Sequence, residues 1–419
     1  MPGFGSFTPV HLQLPGLSRR SETACTNSAT SDEVTLWLFL VADGIDGTSG
    51  TPALAASGEE GGKGIYVARF DPLDAASVAA VSWTLLLDAN ADLPVGAPVD
   101  ITETEITSAQ GFADHWHIYA HGYHWIAASV TAEGYGGISV VLVKFTIDAA
   151  GVPTIAWTTL VKEPTAKDDW NTDEQLKHPT NDLFLVTAGH GGVAIGLRHN
   201  EKGAIPTSVP PDAGGGHIII EVWGDGTLQP EISFSPVGSE HGNCASASRT
   251  TDVGGALTGV AGALIYRVLA PEISMSHIEG DLLLIEADKD WNGLRLTRLR
   301  SRTDMNYQMA SEASLGNGQW AMTYKRTDIT KIIDVGDDGD PTLAVLVTDV
   351  NGWSTFPEAV TSTATSTEGE RPHIIYWQGA LIVTWDGGGQ AWVTVFDLDW
   401  NPAKPTIADA PDILSHPFV

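Results

Sequence analysis

Asp288-Lys289-Asp290-Trp291-Asn292-Gly293 and Asp397-Leu398-Asp399-Trp400-Asn401-Pro402 are nearly the same phrase, and each ends an apolar run of strand length, Leu282 to Asp290 and Trp392 to Asp399. A phrase repeated at the ends of strand-like runs marks units of one supersecondary design. Looser versions follow at Phe70-Asp71-Pro72, at Phe145-Thr146-Ile147-Asp148 running to Gly151, at Trp223-Gly224-Asp225-Gly226 and at Thr348-Asp349-Val350-Asn351-Gly352. A second echo trails the first two of these: Val81-Ser82-Trp83-Thr84-Leu85-Leu86 and Ile155-Ala156-Trp157-Thr158-Thr159-Leu160. Together the markers divide the chain into about six units.

Within a unit the order is a polar opening, an apolar strand, a turn, a second apolar strand, a loop of variable length, and a third strand that runs into the Asp turn. The last unit shows it most cleanly, as Arg371-Pro372-His373-Ile374-Ile375-Tyr376-Trp377, the turn Gln378-Gly379, Ala380 to Trp385, the turn Gly387 to Gly389, and Ala391 to Phe396. Such a sheet cannot bury its apolar face alone. Radial stacking of neighbours, which leaves only short protected edges, is the propeller solution. The expected fold is therefore all-β, a single β-propeller of about six four-stranded blades. A pair of β-sandwiches would also use many short strands, but the repeated phrases favour the ring.

The last unit offers three strands before the tail that begins at Pro402, and Phe7-Thr8-Pro9-Val10-His11-Leu12-Gln13-Leu14 alternates like a fourth. Pro9 suits an edge that donates no ladder bond. The expectation is a ring closed by this N-terminal strand outside Ala391 to Phe396, with an arm over 1–19, the propeller over 20–401 and a tail over 402–419.

The Arg-Pro, apolar strand, Gly turn, Trp-ended strand and Phe-Asp of the closing unit resemble the repeats of bacterial β-propellers, including sialidase-like and other carbohydrate-active propellers. The likeness covers that unit well and the others loosely. The sialidase Asp-box, Ser-x-Asp-x-Gly-x-x-Trp, is not found, so the resemblance implies a fold and carries no catalytic residues over.

Composition agrees with short strands and tight turns: of 419 residues 45 are Gly and 23 Pro, and 42% are hydrophobic. Lys and Arg number 22 against 52 Asp and Glu, a formal charge of -30, which repels nucleic-acid phosphates and anionic membranes. The same field counts against strongly anionic polysaccharides unless a local basic pocket overrides it. Met1 to Leu17 has neither a charged n-region nor a continuous apolar stretch, so a signal peptide is not expected, and Ala256 to Tyr266 is too short for a membrane span.

Histidine is concentrated in Asp114-His115-Trp116-His117-Ile118-Tyr119-Ala120-His121-Gly122-Tyr123-His124-Trp125. On a strand His115, His117 and Tyr119 share one face and Trp116 and Ile118 the other. If the opening strand of each unit lines the central channel, these meet His178, His241, Asn243, Arg371 and His373 in a polar mouth. Paired imidazoles can bind a metal or move protons; they can equally be packing and inter-blade hydrogen-bonding groups. For chemistry of lyase type, His115, His117 or Tyr119 would serve as base and Arg249 or Arg371 would steady a uronate carboxylate. No recognised catalytic spacing accompanies them.

Asp288, Asp290 and Asn292, followed by Gly293, open like a calcium loop, and Asp88, Asn90 and Asp92 do so in part. Leu299 and Val99 stand where the later acidic ligand belongs, so solvated turns closed by Asx side chains are the competing explanation. The 14 tryptophans, many at strand ends, can stack on sugars or plug gaps between blades. Cys25 and Cys244 fall at the openings of the first and fourth units, too far apart across the ring to form a disulfide.

Two functions follow. The first is a non-catalytic module that recognises glycan or protein, or takes a place in a larger assembly such as an extracellular or virion surface. The second is a carbohydrate-active enzyme, a polysaccharide lyase or glycoside hydrolase, using the His-rich mouth. Calcium is the one cofactor the residues suggest.

Overall fold

The computed structural model describes residues 10–17, 20–27, 34–42, 44–45, 52–53, 64–71, 74–89, 92–94, 111–131, 138–162, 183–199, 216–234, 242–251, 257–268, 279–288, 291, 295–300, 305–316, 319–328, 342–349, 352–355, 370–377, 380–387, 390–396 and 415–417. These form antiparallel β-sheets and one short helix.

The first sheet orders Arg20–Asn27, Val34–Ala42, Gly64–Arg69 and Thr84–Asp88 from one edge to the other. The second is Gly111–Ala120, Tyr123–Thr131, Ile138–Ile147 and Pro153–Lys162, and the third is Phe184–Thr187, Val193–His199, Gly216–Val222 and Ile232–Phe234. A fourth runs Gly242–Thr251, Leu257–Val268, Glu279–Asp288 and Arg295–Arg300, with Ser415–Pro417 added at its far edge, a strand the sequence pattern does not announce. The fifth is Met305–Gly316, Gln319–Asp328, Thr342–Asp349 and Gly352–Thr355. In the sixth, Glu370–Trp377, Ala380–Gly387 and Gln390–Phe396 are joined by Val10–Leu17, which lies antiparallel on Gln390–Phe396 with Val10 opposite Val395 and Leu12 opposite Val393.

The first strand of each sheet touches the first strand of the next, and Glu370–Trp377 touches Arg20–Asn27. The core lies between sheets. Val34–Ala42 is apolar at nearly every position because both of its faces are covered. Leu36, Leu38 and Leu40 pack with Trp377, Ile382, Val393 and Val395 of the sixth sheet, while Trp37, Phe39 and Val41 pack with Ile126, Ala128, Val141 and Phe145 of the second. The second sheet repeats the pattern, sending Trp125, Ala127 and Leu142 toward Phe184, Ile195 and Ile220 of the third. Each large side chain buried this way contributes about 1.5–3 kcal/mol. The start of the outermost strand Pro153–Lys162 alternates instead, with Thr154 and Ala156 exposed and Ile155 and Trp157 half-buried.

Two of the Asp markers, at Asp148 and Asp225, are tight turns closed by their own carboxylates. Asp148 Oδ1 accepts the Ala150 and Val152 amides, both at 2.9 Å, and Gly151 takes φ 83°. Asp225 Oδ1 accepts the Thr227 amide at 3.0 Å, with Gly226 at φ 92°. After Glu279–Asp288 the Trp291 amide donates to the Asp288 carbonyl at 3.1 Å, and the buried indole meets the Phe184 ring at 6.4 Å. Trp291 thus plugs the core; the second copy of the phrase, over 397–402, lies outside the described residues. After Phe70-Asp71 the first sheet inserts the helix Ala75–Ala79, capped by Asp74, whose carboxylate accepts the Ala76 amide at 2.9 Å.

Candidate functional site

His115 and His117 stand on the first strand of the second sheet, opposite Ala128 and Ile126, and His373 stands on the first strand of the sixth. The structure brings the last two together: their rings stack at 6.3 Å and 20°, and His373 also meets Trp116 edge-on at 4.7 Å. His117 lies 3.7 Å from the Phe39 ring, ring centre to ring centre. His124, opposite Tyr119, is sandwiched by Phe145 at 5.1 Å, with Tyr119 at 5.1 Å and Trp37 at 5.9 Å edge-on.

These imidazoles are interior groups. His115, His117, His124 and His373 are 0, 2, 3 and 4% exposed, and Tyr119 is half-buried. Burial, with the nearby His117, pushes the His124 pKa down to about 3, so this ring is neutral throughout the physiological range. A ring kept neutral among aromatic faces packs well, and it carries no positive charge with which to steady a developing anion.

Asn243 and Arg249 lie on Gly242–Thr251 and Arg371 on Glu370–Trp377, each on the first strand of its sheet. His178 and His241 lie outside the described residues, as do Asp290 and Asn292 of the calcium candidate. Asp288 is exposed, and its carbonyl closes the turn onto Trp291. In the partial calcium loop the Asp92 carboxylate is turned back onto the chain, its Oδ2 accepting the Asp88 amide at 2.8 Å. Among the described residues no group of three His, Cys, Asp or Glu side chains is placed to hold a metal ion.

A second constellation, not singled out by sequence, sits where the second and third sheets meet. His121, Tyr123, Lys144, His190, Trp223 and Asp225 line a cleft of about 520 Å³. Lys144 lies on the third strand directly between Trp125 and Trp157, its cross-strand neighbours. Its Nζ is 4.0 Å from the Tyr123 ring centre, 5.0 Å from Trp125 and 5.9 Å from Trp157, and it donates to the Gly224 carbonyl at 2.7 Å. Crowding by these rings lowers the ammonium pKa, and Asp225 opposes that shift. Asp225 is itself held below the usual carboxylate value, chiefly by hydrogen bonds from Thr227 and in smaller part by Lys144.

His121 and His190 occupy matching hairpin turns, each at φ 54° and each followed by a glycine, Gly122 at 78° and Gly191 at 66°. Paired positive φ values make the primed turn that matches strand twist. His121 Nε2 lies 3.0 Å from the Ala188 carbonyl, and the His190 ring lies 4.6 Å from Trp223. The sequence signal was present in the two His-Gly turns and in Trp223-Gly224-Asp225, but only the register adds Lys144.

No protein-family model matches the sequence, and no curated protein is similar to it in sequence. Among solved structures, the chain is similar to the α-L-arabinanase of Penicillium chrysogenum complexed with arabinobiose, at a TM-score of 0.54 and 11% identity over 93% of this chain and 99% of that one. The GH93 α-L-arabinofuranosidase of Fusarium graminearum matches at a TM-score of 0.49 and 8% identity over 94% and 98%, and the Trypanosoma rangeli sialidase at 0.44 and 10% over 95% and 59%. The similarity to the Penicillium structure and the antiparallel sheets make this an all-β protein of β-propeller fold. No helix among the described residues is long and apolar enough to cross a membrane.

Proposed function

We propose that this chain is a non-catalytic glycan-recognition module, built as a six-bladed ring closed by its N-terminal strand. The ring is supported by the succession of first-strand contacts and by Val10–Leu17 lying on Gln390–Phe396. One observation carries the non-catalytic part: on the inner strands His117 and His373 are packed among aromatic rings and His115 is fully buried, instead of facing solvent as an acid–base pair. General acid–base catalysis needs a group within hydrogen-bond reach of substrate, and the candidate bases His115 and His117 are buried. A sugar ligand is supported by the fold, which in the Penicillium arabinanase holds arabinobiose, and by a cleft in which aromatic rings, an ammonium and a carboxylate converge. Fold by itself does not choose between binding and cleavage.

Retention on a glycan array together with product analysis on a polysaccharide panel separates the two. Binding without release of products is the expected result. Cleavage abolished by His117→Ala would reverse it in favour of a lyase or hydrolase.

A further inference from the structure

We infer that the cleft between the second and third sheets is a subsite for one or two rings of a neutral sugar, with Trp223 as its platform and Asp225 and Lys144 as its polar anchors. This rests on the glycan-recognition reading and assigns it a place away from the histidine face of the inner strands.

Size sets the first limit. About 520 Å³ is room for a mono- or disaccharide, within the ordinary range of small-ligand sites. Surface chemistry sets the second. Trp223 and Tyr123 are half-buried, so each is fixed by packing yet still open on the cleft side. A held indole offers an apolar face to the C–H side of a sugar ring at little entropic cost. His190, exposed, lies over one face of the Trp223 ring at 4.6 Å and 32°, so the platform is the opposite face.

Hydrogen-bonding capacity comes next. Lys144 has three N–H donors, and one reaches the Gly224 carbonyl, so the ammonium keeps donors for a hydroxyl or ring oxygen. The Asp225 carboxylate accepts from Thr227 and retains lone pairs for a diol. Both groups are held in place by neighbours, Lys144 by the aromatic rings around it and Asp225 by its turn.

Charge decides the class of sugar. One ammonium and one carboxylate offset each other within the cleft, beside the imidazoles of His121 and His190, while the chain as a whole carries -30 counted with neutral His. A uronate or sialate would meet that field with no net positive charge to receive it. A cationic ligand would compete with Lys144 for the Tyr123 face, which the ammonium occupies at 4.0 Å. Neither obstacle applies to a neutral sugar. The turns leave room for evolution to have chosen otherwise: Asn-Gly makes the same primed turn as readily as His-Gly, so the two imidazoles are not required by the backbone.

The test is calorimetric titration of the full chain with arabinobiose, cellobiose, maltose and lactose, and with digalacturonate as the anionic probe, repeated on Trp223→Ala and Asp225→Asn. Both sites are turn residues, and melting temperatures check that each variant folds. At least one neutral disaccharide should bind, and Trp223→Ala should weaken it about tenfold or more, a loss of about 1.4 kcal/mol. Asp225→Asn, which keeps an acceptor but not the charge, should weaken it several-fold. Neutral binding that both variants retain in full would overturn the cleft while leaving glycan recognition standing. Digalacturonate as the sole ligand lost in the variants would overturn the neutral class. Silence across these probes and across a broad glycan array would overturn the recognition function and the subsite with it.

Discussion

The Nζ of Lys144 lies 2.7 Å from the carbonyl oxygen of Gly224, so a side chain from the third strand of the second sheet fastens the outer turn of the third. The bond is charge-assisted and half-buried, and the same ammonium faces three aromatic rings. Lys144→Met keeps the length of the stem and removes the charge. It should cost about 1.5–3 kcal/mol, read as a fall in melting temperature, since a charged hydrogen bond and a cation–π contact go together. An unchanged melting temperature would mean that the two sheets are held here by apolar packing alone.

Gly192 closes the turn that carries His190, with its carbonyl accepting the Ala188 amide and its own amide donating to Gly189, both at 3.0 Å. A Cβ at this position would overlap the Val222 carbonyl oxygen and stand 2.8 Å from the Trp223 Cα, both backbone atoms. Gly192→Ala should therefore destabilise by about 2 kcal/mol or more, because no side-chain rotation relieves it. At Gly122, where a Cβ meets nothing within 4 Å, the penalty is conformational only. Gly122→Ala should cost about 1 kcal/mol. Chemical denaturation of the two variants gives the comparison.

Much of the fold was legible because period and burial coincide. The last unit reads correctly strand by strand, since its turns contain glycine and its strands are rich in β-branched and aromatic residues. The Asp markers at Asp148 and Asp225 are legible for a local reason: carboxylates bonding their own backbone need no distant partner. The helix Ala75–Ala79 escapes notice because five residues carry no periodicity, and Ser415–Pro417 because three residues paired across more than a hundred positions leave no pattern.

The site was less legible. Alternation correctly sets His115 and His117 on one face, yet whether that face meets solvent or Phe39 depends on how close the first sheet comes. Lys144 is one basic residue in an apolar strand until the register sets it between Trp125 and Trp157. Sequence spacing does not encode cross-strand partners separated by loops of unequal length.

Val10–Leu17 is the outer strand of the sixth sheet, with His11 opposite Thr394 and Gln13 opposite Trp392. If this strand closes the ring, deleting residues 1–17 strips Gln390–Phe396 of its partner and exposes an edge. The truncated chain should melt several degrees lower and aggregate more readily. Equal melting temperatures for the two chains would show that the ring closes elsewhere.

Cys25 stands on Arg20–Asn27, which touches the first strands of the second and sixth sheets, and Cys244 on Gly242–Thr251, which touches those of the third and fifth. In a ring of six these strands face each other across the axis, beyond the roughly 7 Å between Cα atoms that a disulfide spans. Alkylation of the denatured, unreduced chain should label both thiols by intact mass. A bridge between them would require a different blade order.

The His124 ring links the aromatic interior to pH. Its pKa is about 3 in the folded chain and near 6.5 when unfolded, so between those values the unfolded state binds a proton that the folded state refuses. The depressed folded value means that this contribution to stability is complete above about pH 6.5 and is lost as the pH falls toward 3. The whole window is worth on the order of 5 kcal/mol, of which about 2 kcal/mol is gone by pH 5. His124→Phe removes the titration and keeps a ring against Phe145 and Tyr119. Melting temperatures of the chain and of this variant at pH 7.5 and pH 5 give the test: both fall as carboxylates protonate, and the unsubstituted chain should fall further. Parallel losses would show that His124 takes up its proton without disturbing the fold, and that the space around it admits water.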